Sequence, residues 1–278
     1  MKKYLNILAL LSLMSASLHA DEIQSVASGD WQISLAAGYG VLENPRAKTD
    51  DVSTWAVPSW YYYGDKFYVE NFTLGYSLFE SDWLTVDLQG QLNEDGLFFE
   101  LDGISKLFIS DIIGYTPIKD TLRPGKVAEP EKPIERKISY LGGVSATWYT
   151  PAVDVTSALM YDVTGVHNGY EWQLNFKKAH RWHWGATGVE IGGAYKSKQL
   201  IAYYYDSTLA ERGFRYNPYK ADATSNWYFK GVVNAPITDS LTFIATLKLT
   251  LLGSKIRESY LIDKDSYWSG FIGISYGF

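Results

Sequence analysis

The chain contains no cysteine. Disulfide frameworks, cysteine nucleophiles and thiolate metal sites are therefore all excluded, and whatever holds the fold together is not covalent. Histidine is almost as scarce, with four in 278 residues. Basic charge is not in excess: the formal net charge is −6, and loss of Lys2 and Lys3 with the leader described next would take it to −8. A nucleic-acid partner, which wants a clustered basic face, is not expected. Beyond the first twenty residues no run of 18 or more apolar residues occurs, so no helix is expected to span a membrane. Helical periodicity is also hard to find.

What is present starts with the leader. Lys2 and Lys3 precede an apolar stretch from Leu5 to Leu18, and Leu18-His19-Ala20 ends it on a small residue before Asp21-Glu22. This is the pattern of a secretory signal peptide cleaved after Ala20. The apolar stretch is shorter than the ~20 residues a transmembrane helix needs. Residues 1–20 are read as the signal and 21–278 as one domain.

Aromatic residues make up 16% of the chain, and they fall in a two-residue rhythm. Trp31, Ile33, Leu35, Ala37 and Tyr39 alternate with Gln32, Ser34, Ala36 and Gly38. Leu84, Val86 and Leu88 alternate with Thr85, Asp87 and Gln89. The pattern returns around Ile138–Trp148, Val153–Val163, Tyr170–Phe176, Trp227–Ala235 and Leu241–Leu251, and the chain ends on it in YWSGFIGISYGF, residues 267–278. Only a β-strand has this period. The segments run to about ten residues, the length with which a tilted strand crosses a bilayer. Aromatics gather at segment ends (Trp148-Tyr149, Trp182, Trp184, Trp227, Trp268), as interfacial girdles would. Tight turns at Gly64-Asp65, 79–82, 149–151 and 237–240 alternate with longer stretches at 41–53, 95–136, 206–225 and 253–266. Short periplasmic turns with long outer loops complete the pattern of a transmembrane barrel.

The expectation is an all-β fold: a closed antiparallel transmembrane β-barrel in the outer membrane of a Gram-negative bacterium, with its apolar face against lipid. A soluble sandwich or lipocalin-like barrel shares the alternation, but not the strand length, aromatic ends and loop pattern. Eleven strand candidates are visible: 31–40, 54–63, 66–78, 82–93, 137–149, 152–164, 169–177, 182–195, 226–236, 240–252 and 267–278. Single-chain barrels have even counts. Splitting 66–78 into a hairpin around Glu70-Asn71 gives twelve strands, with ten or fourteen as alternatives. The Tyr-rich segment 199–205 is a possible extension of a strand beyond the membrane. In the long outer loop 95–136, the apolar first half, LFFELDGISKLFISDIIGY, is a candidate plug or rim cover, and the Pro-rich second half a solvated excursion.

With the apolar set toward lipid, Asp87, Asp154, Asp162, Glu171, Lys177, Glu190, Lys230 and Lys248 face the lumen. Their signs are mixed, which favours pairing across a filled or narrow interior over the single-sign ring of a selective pore. Chemistry has few candidates. An acyl-transfer site needs Ser, His and an orienting group converging at one rim. His167, beside Asp162 and Asn168 on an outer turn, comes nearest; the simpler reading is a solvated turn histidine, on which His167→Ala is silent. His180 and His183 lack a Cys or close carboxylate to complete a metal site and read as interface anchors. No catalytic, metal or cofactor set is expected, and the chain is read as non-enzymatic.

Several stretches resemble the MltA-interacting protein and OmpV family of Gram-negative outer-membrane proteins. They are WQISLAAGYG, SWYYYGDKFYVENFTLGYSLFESDWLTV, LMYDVTGVHNGYEWQLNF, IAYYYD and the closing region 226–278. The resemblance implies a barrel whose role is to scaffold a periplasmic lytic transglycosylase together with a peptidoglycan synthase. Other members are described as porin-like or adhesin-like, so a narrow small-solute channel, or a surface receptor carried by loops 95–136 and 206–225, stand as alternatives. The last strand, with Ile272, Ile274, Tyr276 and Phe278, also resembles the terminal signal read by the barrel-assembly machinery. That machinery and the lipid of the outer membrane are the remaining expected partners.

Overall fold

A computed structural model describes residues 29–47, 49–99, 136–207 and 219–278. The proposed signal peptide with Ala20, and most of loop 95–136, lie outside the described residues. Twelve strands form a closed barrel. In chain order they are β1 (Asp30–Leu42), β2 (Val52–Tyr63), β3 (Phe67–Glu70), β4 (Thr73–Glu80), β5 (Leu84–Leu92), β6 (Tyr140–Trp148), β7 (Asp154–Asp162), β8 (Tyr170–Trp182), β9 (Gly185–Lys196), β10 (Thr224–Pro236), β11 (Leu241–Leu251) and β12 (Ser266–Gly277). Each strand pairs antiparallel with its neighbours in sequence, and β12 closes onto β1. The count of twelve arises as the alternation suggests, by division of 66–78 at Asn71, which takes a left-handed φ of 51° in the β3–β4 turn. Asparagine tolerates that conformation better than most residues.

The outward set is exposed: Trp31, Ile33, Leu35 and Tyr39 on β1, and Trp268, Ile272, Ile274 and Tyr276 on β12. In water this face would be a severe aggregation liability; against hydrocarbon it is the stable arrangement, because closure satisfies most of the wall's backbone groups inside the sheet. Both ends of the barrel chain and the short turns 64–66, 81–83, 149–153, 183–184 and 237–240 lie at one end, the periplasmic one in this architecture. The longer connections rise at the other.

Segment 199–205 is a helix and not a strand extension. Helix α1 (Lys198–Tyr205) buries Leu200, Ile201, Tyr204 and Tyr205, a spacing of one, three and one that places them on a single helical face. Three successive tyrosines favour strand locally, but a second apolar surface supplied by other loops overrides that preference. These loops are the helical residues 94–99, helix α2 (Ser254–Arg257) and the stretch 259–262. Phe98, Phe99, Leu252, Ile256, Leu261, Ile262 and Tyr267 join the face of α1 in one buried cluster. The outer end of the barrel thus carries a small apolar core of its own, above a polar lumen. Phe98 and Phe99 belong to the start of the apolar half of loop 95–136 and cover the rim; the rest of that half, from residue 100 on, lies outside the described residues.

Candidate functional site

Beneath this cap lies a cavity of about 770 Å³ in the lumen. Glu171, Gln173 and Asn175 from β8, Glu190, Ala194 and Lys196 from β9, Tyr228 and Lys230 from β10, and Lys248 from β11 line it. Alternation explains the set: these are the positions between the lipid-facing residues of each strand.

Five of the eight expected lumen charges lie on one hydrogen-bonded row of the wall. Successive register partners are Asp154, Lys177, Glu190, Lys230 and Lys248, on β7 through β11. Charges alternate in sign along the row until its last step. Within the row Glu190 and Lys230 pair along the wall, whereas Lys248 pairs with the segment that follows β5, six strands away around the barrel. Lys230 Nζ is 3.9 Å from Glu190, and the Tyr228 hydroxyl also donates to Glu190. Lys248 turns up to Glu94 of the cap at 2.6 Å. Asp87 stands apart lower on β5, where the Tyr68 hydroxyl lies 3.4 Å from it.

The strongest electrostatic contact was not visible in the sequence. Lys196, at the end of β9, is buried with its Nζ 2.5 Å from Asp95 and 3.1 Å from Glu171. The Tyr205 hydroxyl donates to the other oxygen of Asp95, and Gln173 donates to Glu171. One lysine thus joins the barrel wall, the 94–99 helix and α1. Two arginines hold the cap from the side: Arg46 donates to the Phe98 carbonyl and stacks 4.3 Å over the Phe99 ring, while Arg136 donates to the carbonyls of Tyr203 and Asp206.

Asp162 and His167 come together at the rim, with Ser139 as a third member. His167 Nε2 is 3.1 Å from Ser139 Oγ, and its Nδ1 lies 4.0 Å from Asp162. The set has the residue types of a nucleophile, base and orienter, but its hydrogen bonds run the wrong way. His167 Nδ1 accepts from the Gly169 N–H, so the proton sits on Nε2 and points at the serine. A histidine in that tautomer cannot take the serine's proton. Asp162 is occupied by the backbone N–H groups of Thr164, His167 and Asn168. Ser139 is fully buried and also receives the Tyr204 hydroxyl. This constellation clamps the β7–β8 turn to the cap.

His167 is accordingly no solvated turn residue: its side chain is buried. Replacement by alanine would strip partners from Ser139 and Gly169 and is expected to cost about 1–3 kcal/mol. Burial pushes the imidazole pKa below its ordinary 6.5. The unfolded chain then binds the extra proton more readily, so this contribution to stability is complete above about pH 6.5 and falls as the pH drops below it. Limited proteolysis of the outer loops should speed up between pH 7.5 and 5.5, and His167→Gln should flatten that profile.

The remaining expected residues stay apart from this centre. His180 packs edge-on to Trp182, at 4.2 Å between ring centroids, at the periplasmic end of β8. Among the described residues no group of three or more His, Asp or Glu is placed to hold a metal. Ile272, Ile274 and Tyr276 face outward on β12, and Phe278 is exposed beside Tyr276 with its N–H bonded to the Ile33 carbonyl.

A family described as "MltA-interacting protein MipA" matches residues 33–278, which takes in all but the first three residues of the wall. The chain belongs to that family. It is an outer-membrane β-barrel protein. A search of curated proteins finds no match. Among solved structures, the COG4313 outer membrane channel from Pseudomonas putida F1 is similar at 10% identity and a TM-score of 0.38, over 94% of this chain and all of that one. Ail, the attachment invasion locus protein of Yersinia pestis, is similar at 8% identity and a TM-score of 0.21, over 91% of this chain and all of that one. At those scores neither likeness carries an argument about function.

Proposed function

We propose that this protein is a non-enzymatic outer-membrane scaffold that holds peptidoglycan enzymes, a lytic transglycosylase together with a synthase, against the inner side of the membrane. The observation that carries the reading is the packed outer end of the barrel. An apolar cluster roofs the lumen, and buried Lys196 ties that roof to the wall. A barrel built this way does not favour solute flow, which leaves its surfaces, and the periplasmic turns in particular, as the working parts. The MltA-interacting description of the family supports the same choice of partner. Photo-cross-linkers placed at Glu80 and Thr238, in periplasmic turns, should capture murein enzymes in intact cells, whereas one at Lys255 of the outer α2 should not. Recovery of no murein enzyme from either turn would contradict the scaffold reading.

The polar cavity under the cap favours one alternative, a narrow small-solute channel. Single-channel recording separates the two: a folded, reconstituted protein that is electrically silent speaks against the channel. A surface adhesin would rest on loops 95–136 and 206–225, most of whose residues lie outside those described.

A further inference from the structure

Among the described residues the closed wall is only partly paired beside β2. Strand β3 has only four residues and pairs with Tyr61–Tyr63 of β2. Among the described residues, the other flank of β2, from Val52 to Ser59, has no strand partner. Across the gap stand the β3–β4 turn at Asn71-Phe72 and the upper ends of β5 and β6, where Leu92 and Tyr140 lie above the last β4–β5 pair. The helical residues 94–99 bound the gap above, tied to the β1–β2 loop through Asn44 and Arg46.

This edge is finished so that no strand can add to it. The Trp60 N–H and carbonyl, which point into the gap, are taken by the Asn71 side chain and backbone N–H. Two residues on, Pro58 has no N–H to offer. Two further, the Ala56 N–H and carbonyl are both satisfied by the Thr54 hydroxyl. Edges that must stay unpaired are protected by such devices. A peptide partner joining by β-augmentation is therefore disfavoured.

The cavity reaches this gap. Its lining includes Phe72 and Leu92, which belong to the lipid-facing set, together with the inward-facing Thr73, Gln89 and Gln91. Phe72 also packs edge-on against outward-facing Trp60, at 5.4 Å. The route through the wall is thus aromatic and apolar at its outer side and lined by neutral hydrogen-bonding groups inside. Charges near it are already committed, Glu70 to the Tyr63 hydroxyl, Lys248 to Glu94, and Lys196 to Asp95 and Glu171. The volume falls in the range of roughly 300–1,000 Å³ typical of small-molecule sites.

We infer that this gap is a lateral binding window for a single-chain amphiphile, whose neutral, hydrogen-bonding head enters the lumen between β2 and β5 while its hydrocarbon tail stays in the outer leaflet. The site is independent of any murein enzyme at the periplasmic turns.

The cysteine-free chain makes the test direct. Gln91→Cys carries a bimane label inside the window, and Ser275→Cys carries one on the inner face at the far end of the lumen. In nanodiscs, a dodecyl maltoside with a nitroxide beside its head should quench the label at 91 saturably and at least about twofold more than the label at 275. Thr73→Phe, which fills the inner side of the window, should remove the difference. A charged alkyl sulfate carrying the same nitroxide should bind several-fold more weakly. With folding verified by gel mobility, equal quenching at both labels, or quenching that rises without saturating, would overturn the window. Equal binding of the charged probe would overturn the neutral head.

Discussion

Lys196→Met should release the cap from the barrel without unfolding the wall. The ammonium is buried between Asp95 and Glu171, and deleting one partner of a buried ion pair leaves uncompensated charge behind. Such losses run to about 3–5 kcal/mol, far beyond the ~0–1 kcal/mol of an exposed pair such as Lys255–Glu258. Because Asp95 also accepts from Tyr205, the penalty reaches α1 directly. Amide hydrogen exchange in α1 and α2 should accelerate by roughly a hundred- to several-thousand-fold, while β11 and β12 exchange as before. Combining the change with Asp95→Asn should recover part of the loss, since the two sites share one contact. In planar bilayers the variant should show openings that the native protein lacks. Unchanged exchange in α1 would mean that Lys196 does not hold the cap.

The second large effect belongs to the seam where the barrel closes. Gly38 on β1 faces Gly273 on β12. A Cβ on Gly38 would come 2.1 Å from the Ile272 carbonyl oxygen, and one on Gly273 would come 2.4 Å from that of Ala37. Both obstacles are backbone, so no rotamer change relieves them. This is the one seam between strands distant in sequence, and failure there leaves two raw edges in the membrane. Gly38→Val should therefore sharply reduce the yield of the compact, heat-modifiable form on refolding. Gly231→Val is the control, because nothing lies within 4 Å of a Cβ at that position in β10. Equal yields for the two variants would contradict this account of closure.

The wall was legible because its rule is local. A period of two, segments of about ten residues and aromatic ends need no knowledge of distant residues, and even the division of 66–78 could be read from Glu70-Asn71. The cap was not, because its parts are far apart. Lys196 meets Asp95 across 101 positions, and Tyr204 meets Ser139 across 65. The only sequence signals for it were an apolar stretch at 97–99 inside a loop and a tyrosine run whose helical face shows only once another apolar surface is present. His167 misled for a similar reason: an Asp-Val-Thr-Gly-Val-His-Asn turn reads as solvated until the loops that cover it are in place. That part of β2 has no strand partner among the described residues is also invisible locally. Its sequence alternates like its neighbours, and only the four-residue length of β3 exposes the flank.

All of this depends on which face of the alternation meets lipid. Spin labels on single cysteines along β12, at Ser269, Ile272, Ile274 and Ser275, read that directly through collision with oxygen, which concentrates in hydrocarbon, and with a water-soluble nickel complex. In the reconstituted protein, labels at 272 and 274 should favour oxygen and labels at 269 and 275 the nickel complex. The reverse pattern, or no alternation at all, would contradict the account.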